Sequence, residues 1–587
     1  MNEPTGFFQK KIRKRTIILS FFFFLWFIVL SLRLVQLQVI EHKSLREAVE
    51  SQNKRKHEIV PERGTIYDRH GQIMARSLPV PSMFFVPAEK EPPAAQFDRV
   101  ANLRSSLELS AKDLLRIRAG IEDGDTFIYL KRKASPEIAA RVRNLRIQGI
   151  GFEEEHKRFY PLGTQAAHVL GAVNIDNVGA SGVELQYNAL LQGEKGQSLI
   201  LQDAKKKRYH WEVLRKPLPG RDLVLTIDNT IQYISERELE RAVREQGAAW
   251  GTVIVSSPAS GEILAMATHP TYDPNDWPPS PYEISSNRAI QENFEPGSTF
   301  KIITACAARE NGAVNFGEIF DCSEGKIRVG GWTISDHKKM GILTFSEVII
   351  HSSNVGTVKV GQRLGEATLF RMIQAFHFGE PTGIDLPGEE KGILHPLPKW
   401  YVSSLASHSI GYGISVTAIQ VLQAMNVIAN GGLLVPPRVT REAYDRSAAR
   451  PGVPVSGERI ISERTARELV DRIFEKVVLE GTGQQAQING FTAAGKTGTA
   501  QKKDPGGGYT GSRHIASFVG FVPADRPLIS IIVVIDDPKI GLHYGGTVAA
   551  PVFREIARRV LLYLGQTPEY DPAQKLVTAK LQSQPRP

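Results

Sequence analysis

The sequence predicts an α+β fold, one antiparallel sheet with a helical lobe, standing on an elongated mixed α/β pedestal behind a single N-terminal transmembrane helix. Three observations predict it. Strand-like hairpin patterns stand at both ends of the stretch 221–565, with helical segments between them. The stretch 41–220 mixes strand-like and helical pieces dense in charge. The first forty residues hold one uncharged apolar run behind a basic cluster.

That cluster is Lys10, Lys11, Arg13, Lys14 and Arg15, and the run is Thr16 to Leu32. As a helix the run spans roughly 26 Å, the short end of what crosses a bilayer. Arg33 can snorkel at the edge while Leu34 to Ile40 continues the apolar pattern. A cleaved secretory signal needs a small-x-small site, and none follows. The expectation is a signal anchor: 1–15 cytoplasmic, 16–40 spanning, and the rest outside the cytoplasm.

Within 41–220, Arg63 to Gly71 reads as a hairpin turning at Arg69-His70-Gly71. Leu114 to Leu145 reads as helical with a basic solvated face, and Gly179 to Glu184 opens another helix. Lys205-Lys206-Lys207-Arg208 reads as a solvated loop. Taken alone, this half is a spacer or interaction domain.

A second regime begins with a strand, Arg221 to Asp228, and an amphipathic helix, Ile231 to Glu245. Gly251 to Val255, a turn at Pro258 to Gly261, and Glu262 to Ala267 form one hairpin. Ala516 to Val522, a turn at Ala524 to Pro527, and Leu528 to Ile535 form another. Ser415 to Asn430 lies between them as a helix. The polar tail 566–587 reads as disordered.

The chemistry centres on Phe294-Glu295-Pro296-Gly297-Ser298-Thr299-Phe300-Lys301, a Pro-Gly turn entering a short apolar helix. Ser298 at the helix start and Lys301 three residues on share a face, and the positive helix end favours an alkoxide. Three other Ser-x-x-Lys pairs, Ser51 to Lys54, Ser323 to Lys326 and Ser335 to Lys338, lie in polar or Gly-flanked surroundings and read as surface pairs. Only at Ser298 does a buried helix follow, where desolvation favours a neutral, proton-accepting lysine.

The 587 residues carry a formal charge of +10, which suits an anionic partner. No zinc-finger spacing, phosphate loop or aromatic-studded basic strand accompanies it, so nucleic acid is not expected. Cys306 and Cys322 belong to no Cys-x-x-Cys pair, so no metal site is expected; whether they pair stays open.

Two motifs follow Ser298: Ser352-Ser353-Asn354 and Lys496-Thr497-Gly498-Thr499, the latter ending a strand-like run from Phe491 to Ala500. Each is weak alone. The ordered set of nucleophile, Ser-x-Asn and Lys-Thr-Gly resembles the signature of penicillin-binding proteins and serine β-lactamases. Asn287 to Ile290 before the nucleophile, Arg63-Gly64 with Asp68 to Gly71, Arg158 with Tyr160-Pro161, Gly182 to Glu184, Thr382 to Glu389, Gly411 to Gly413 and Tyr544 to Gly546 are similar to blocks of class B penicillin-binding proteins, in their division-specific branch. One departure is Ala418, where the family pattern has proline.

The resemblance implies a dimerisation-type pedestal over 41–220 and a transpeptidase domain over 221–565. It implies a serine-type D,D-transpeptidase that cross-links peptidoglycan stem peptides ending in D-alanyl-D-alanine and is acylated by β-lactams, with no cofactor. Ser298, Lys301, Ser352, Asn354 and Lys496 are then the catalytic residues, and Thr497, Gly498 and Thr499 bind substrate. Gly498 would let a peptide lie against the strand edge. The implied partners are a membrane glycosyltransferase and other division proteins, on the periplasmic side of the cytoplasmic membrane.

A class A β-lactamase would carry a Glu-x-x-x-Asn block between Asn354 and Lys496, and none is present. A bifunctional enzyme would have a glycosyltransferase domain where the pedestal blocks stand. An elongation-specific transpeptidase and a catalytically silent division scaffold are the remaining alternatives; the intact trio speaks against the scaffold.

Overall fold

The computed structural model describes residues 5–43, 54–88, 91–202, 208–279, 281–444, 457–502 and 513–568. It comprises two compact units, 1–61 with 193–219, and 62–192 with 220–587. The expected tail and most of the Lys205 to Arg208 loop lie outside the described residues, as does Ser51 of the first surface Ser-x-x-Lys pair.

In the first unit one α-helix runs from Thr5 to Val35 and passes into a π-helical turn, Gln36–Ile40. Phe21 to Phe27 are exposed throughout, and this is the one helix among the described residues long and apolar enough to cross a bilayer. A separate antiparallel sheet in this unit orders the strands Lys54–Ile59, Gly196–Gln202 and Arg208–Arg215.

The second unit holds two larger sheets. One places Ile66–Tyr67 between Ile73–Phe85 and Asp222–Leu225, and continues through Thr440–Tyr444 on one side and Ile128–Lys131 on the other. Asp68 forms the turn of the Ile66–Phe85 hairpin by accepting from the N–H groups of His70 (2.9 Å) and Gln72 (2.8 Å). The strand at 222 therefore completes this sheet, pairing in parallel with Ile66–Tyr67, rather than joining the sheet that follows.

Leu114 to Leu145 is not one helical stretch. Helix Ala111–Glu122 ends before Gly124, strand Ile128–Lys131 follows, and helix Pro136–Asn144 restarts with Ser135 as its cap. Ile128, Tyr129 and Lys131 pair with Phe85, Phe84 and Met83, a tertiary partner that helical periodicity does not reveal.

Three charged groups lock this half. Glu184 Oε2 accepts from Arg63 Nε and Glu184 Oε1 from Arg158 Nε, each at 2.6 Å, and all three side chains are buried. Burial opposes the carboxylate, but the two guanidinium charges outweigh it and hold Glu184 below the usual range.

The second sheet is five-stranded and antiparallel throughout, in the order Ile263–His269, Trp250–Ser256, Ile529–Asp536, His514–Val522, Ala494–Gln501. Both expected hairpins are in it. Trp250–Ser256 and Ile529–Asp536 are buried along their whole length, as central strands between two layers must be. Helices Asn229–Glu245 and Gly545–Tyr563 cover one face. Helix Ala418–Ala429 packs on the other, beneath the lobe that contains Lys301–Glu310 and Asn354–Leu364. Ala418 is the first residue of its helix, and Gln420 Oε1 accepts from Thr417 N at 3.0 Å, so the turn forms without proline.

Candidate active site

Ser298 lies in a 3₁₀ turn, Gly297–Phe300, and the α-helix begins only at Lys301. The expected helix start is thus one tighter turn. Because residues three apart eclipse in a 3₁₀ helix, Ser298 and Lys301 still share a face. Gly297 adopts φ +53°, where a Cβ would meet Thr499 O at 2.9 Å. Its N–H donates to Gly411 O at 3.0 Å. Glu295 Oε1 accepts from Gly413 N at 2.9 Å, so the Gly411 to Gly413 block braces the turn from outside.

Lys496, Thr497 and Gly498 lie within the edge strand Ala494–Gln501 rather than at its end. This strand packs against the turn that carries Ser298. A Cβ on Gly498 would approach Ser517 Oγ at 2.3 Å, Thr299 Cγ2 at 2.7 Å and Pro296 O at 3.1 Å. The missing side chain of Gly498 thus makes room for the turn that carries Ser298.

Ser352 stands at the end of helix Phe345–Ile350 with φ +60°, a conformation that costs a non-glycine residue about 1–3 kcal/mol. Lys301 Nζ donates to Ser352 O (2.7 Å), Ser352 Oγ (3.2 Å) and Asn354 Oδ1 (2.8 Å). Lys496 Nζ reaches the same Ser352 Oγ at 3.1 Å. One hydroxyl therefore sits between two lysines. Among the described residues the Ser298 hydroxyl makes no hydrogen bond.

Both lysines are fully buried. Burial pushes Lys301 well below the usual lysine range and the Lys496 charge pushes it further, against Asp336. Burial lowers Lys496 to about 7. Ser298, Ser352, Asn354, Thr497 and Thr499 line one cleft of about 520 Å³, with Lys301 and Lys496 beneath its floor. The structure thus brings seven of the eight expected site residues to the cleft or directly under it, and places Gly498 against the turn that carries Ser298.

Other residues complete the site. Asp336 accepts from Ser353 Oγ at 2.8 Å, Val355 N at 3.1 Å and Asn354 N, and so anchors the Ser-x-Asn turn. It lies inside the Ser335 to Lys338 pattern that reads as a surface pair, and nothing local marks it. Thr482 and Thr497 share a hydrogen bond at 2.6 Å, and Gly545 N donates to Thr499 Oγ1 at 3.0 Å. Tyr412 and Tyr544 also line the cleft. Their positions within the Gly411 to Gly413 and Tyr544 to Gly546 blocks are the sequence signal for them.

A model of the penicillin binding protein transpeptidase domain matches residues 251–558, and one of the penicillin-binding protein dimerisation domain matches residues 58–225. Stage V sporulation protein D of Bacillus subtilis (strain 168) is 36% identical over 576 residues, covering 96% of this chain and 88% of that protein. Peptidoglycan D,D-transpeptidase FtsI of Escherichia coli (strain K12) is 32% identical over 539 residues, covering 92% and 90%. Among solved structures, penicillin binding protein 3 of Mycobacterium tuberculosis complexed with ampicillin superposes with a TM-score of 0.69 at 28% identity. That match covers 88% of this chain and 98% of the other. With a dimerisation module preceding a transpeptidase module that carries an assembled Ser-Lys, Ser-x-Asn and Lys-Thr-Gly site, the chain belongs to the class B penicillin-binding proteins.

Proposed function

We propose that this protein is a peptidoglycan D,D-transpeptidase that joins stem peptides through an acyl-enzyme on Ser298 and is blocked when β-lactams acylate the same residue. The observation that carries the mechanism is the Ser352 hydroxyl held between Lys301 and Lys496 at the cleft that Ser298 lines.

Neutral Lys301 takes the Ser298 proton as Oγ attacks the carbonyl of the penultimate D-alanine. The N–H groups of Ser298 and Thr499 receive the oxyanion; the first N–H groups of a helical turn have no partner within it. The C–N bond breaks, and the departing amine of the terminal D-alanine takes a proton through Ser352 from the lysine pair. An amine of a second stem peptide then attacks the ester and loses its proton to Lys301, which returns it to Ser298 Oγ as the ester C–O bond breaks. Lys496 attracts the substrate carboxylate, and Asn354 holds Lys301 and the substrate amide.

The protein is single-pass at its N-terminus. The cluster Lys10 to Arg15 supports retention of that end in the cytoplasm, with both modules on the periplasmic side. The Asn287 to Ile290, Glu295 and Tyr544 to Gly546 blocks support a role in septal wall synthesis. Glycan polymerisation then falls to a partner glycosyltransferase, with division proteins on the pedestal.

The test is to give the full chain in detergent a donor peptide ending in D-alanyl-D-alanine and an acceptor amine. Release of D-alanine with formation of the amide product is expected, and both are lost in Ser298→Ala. Release without amide, whatever the acceptor, contradicts the transpeptidase reading. Depletion in cells is expected to give filaments; rounded cells contradict the septal assignment.

A further inference from the structure

One wall of the cleft is built from two imidazoles. His514 opens the strand that pairs with the Lys-Thr-Gly strand, where it stands opposite Gln501. His543 lies in the loop before the last helix, and both rings line the cleft with Ser298. The rings stack, with centroids 3.7 Å apart and planes 19° from parallel, and Tyr544 lies 4.8 Å beyond His543. The transpeptidase chemistry described above uses neither ring.

We propose that the His514–His543 stack is a titratable specificity wall, which favours substrates bearing an additional carboxylate once one of the two rings is protonated. The inference rests on the transpeptidase reading of the cleft and adds a selectivity to it.

The geometry limits the wall to a single charge. A neutral ring at stacking distance accommodates one imidazolium against its face, whereas two charges at 3.7 Å repel strongly. Among the described residues the carboxylate near the stack is Asp537, whose N–H donates to His514 O at 2.7 Å. That carboxylate is already taken by Lys539 and, at 3.6 Å, by Arg513. The neighbouring Asp536 is held by Lys502 at 2.6 Å. The wall's own charge therefore remains open to a ligand. Burial and the neighbouring His543 hold His514 below the usual histidine range, with Asp537 acting the other way, so the charge appears as pH falls below that range. Among the described residues the other titratable groups that bear on the cleft are His337, Tyr412 and Tyr544 in its lining, with Lys301 and Lys496 below.

Two penicillins differing only by a side-chain carboxylate, benzylpenicillin and carboxybenzylpenicillin, isolate the effect. Second-order acylation constants are measured on the full chain in detergent from about pH 8 to about pH 5.5. Any disturbance of folding acts on both drugs alike, and the pull of the lysines on the extra carboxylate persists when the imidazoles are replaced, so the part of the ratio that their replacement by Phe removes reports the wall. The carboxybenzyl-to-benzyl ratio is expected to rise about two- to fivefold as pH falls. It stays flat in the double variant His514→Phe/His543→Phe, which keeps both aromatic rings without a charge. A flat ratio in the parent protein overturns the proposal. So does a rise that survives the double Phe variant; its loss in His337→Asn would then move the charge across the cleft. If neither drug acylates the folded parent protein, it is the transpeptidase reading itself that has failed.

Discussion

Lys496 Nζ lies 3.1 Å from Ser352 Oγ, joining the edge strand of the sheet to the helical lobe through one hydroxyl. Lys301 holds the same hydroxyl from the lobe side. Two lysines this close cannot both stay charged in a buried site, and the deeper electrostatic penalty falls on Lys301.

Acylation depends on pH through this pair. Lys301 must be neutral to accept the Ser298 proton, and burial and the Lys496 charge both favour that form; acylation falls in acid as it protonates. Lys496, at about 7, loses its charge as pH rises above neutrality, so attraction of the substrate carboxylate fades on the alkaline side. Lys496→Met is expected to shift the acid limb to higher pH, because the charge that depresses Lys301 is gone. An unmoved acid limb in a pH–rate profile of penicillin acylation contradicts this coupling.

Asp336→Asn keeps the size of the side chain but leaves one acceptor oxygen for the three donors that Asp336 serves. The Ser-x-Asn turn, already at an unfavourable φ at Ser352, loosens. The expected cost is about 1–3 kcal/mol, read as a roughly 5- to 150-fold loss in acylation rate. Stopped-flow acylation at the parent rate would show that the turn holds without it.

Gly498→Ala places a methyl group where Ser517, Thr299 and Pro296 already stand. Backbone at Pro296 cannot yield cheaply, so the nucleophile turn moves off the strand. A loss of about 1–3 kcal/mol in stability is expected together with near-complete loss of acylation. A variant that melts and acylates as the parent does would show that the turn yields freely.

Glu184→Gln leaves the Arg63 and Arg158 guanidinium groups buried without their countercharge. The expected destabilisation is about 3–5 kcal/mol, seen in melting before any change in penicillin binding. Glu184 has a lowered pKa when folded, so its contribution is complete above the ordinary glutamate range and is lost as pH falls through the folded value. The variant's melting temperature should accordingly depend less on pH in that acid window. Normal melting with abolished binding would place Glu184 in function instead.

Much of this was legible from local pattern. Hairpins at 251–267 and 516–535 follow from alternating apolar runs around turn residues, and the buried helix after Ser298 singles that serine out from the other Ser-x-x-Lys pairs. What stayed hidden depends on residues far apart in the chain. Asp336 becomes an anchor only because the fold brings it against Ser353 to Val355. Gly498 serves the turn at Pro296, some two hundred residues away. The strand at 128–131 exists because Met83 to Phe85 pairs with it, and the His514–His543 stack forms only when the loop before the last helix folds back on the sheet.

The most direct measurement is the intact mass of the full chain in detergent after benzylpenicillin, with Ser298→Ala alongside. A persistent increase of one drug mass in the parent protein, absent in the variant, is the predicted result. An adduct of equal yield in Ser298→Ala would contradict the assignment of the nucleophile. Rapid return of the parent protein to its starting mass with hydrolysed drug would point to a hydrolase instead of a transpeptidase.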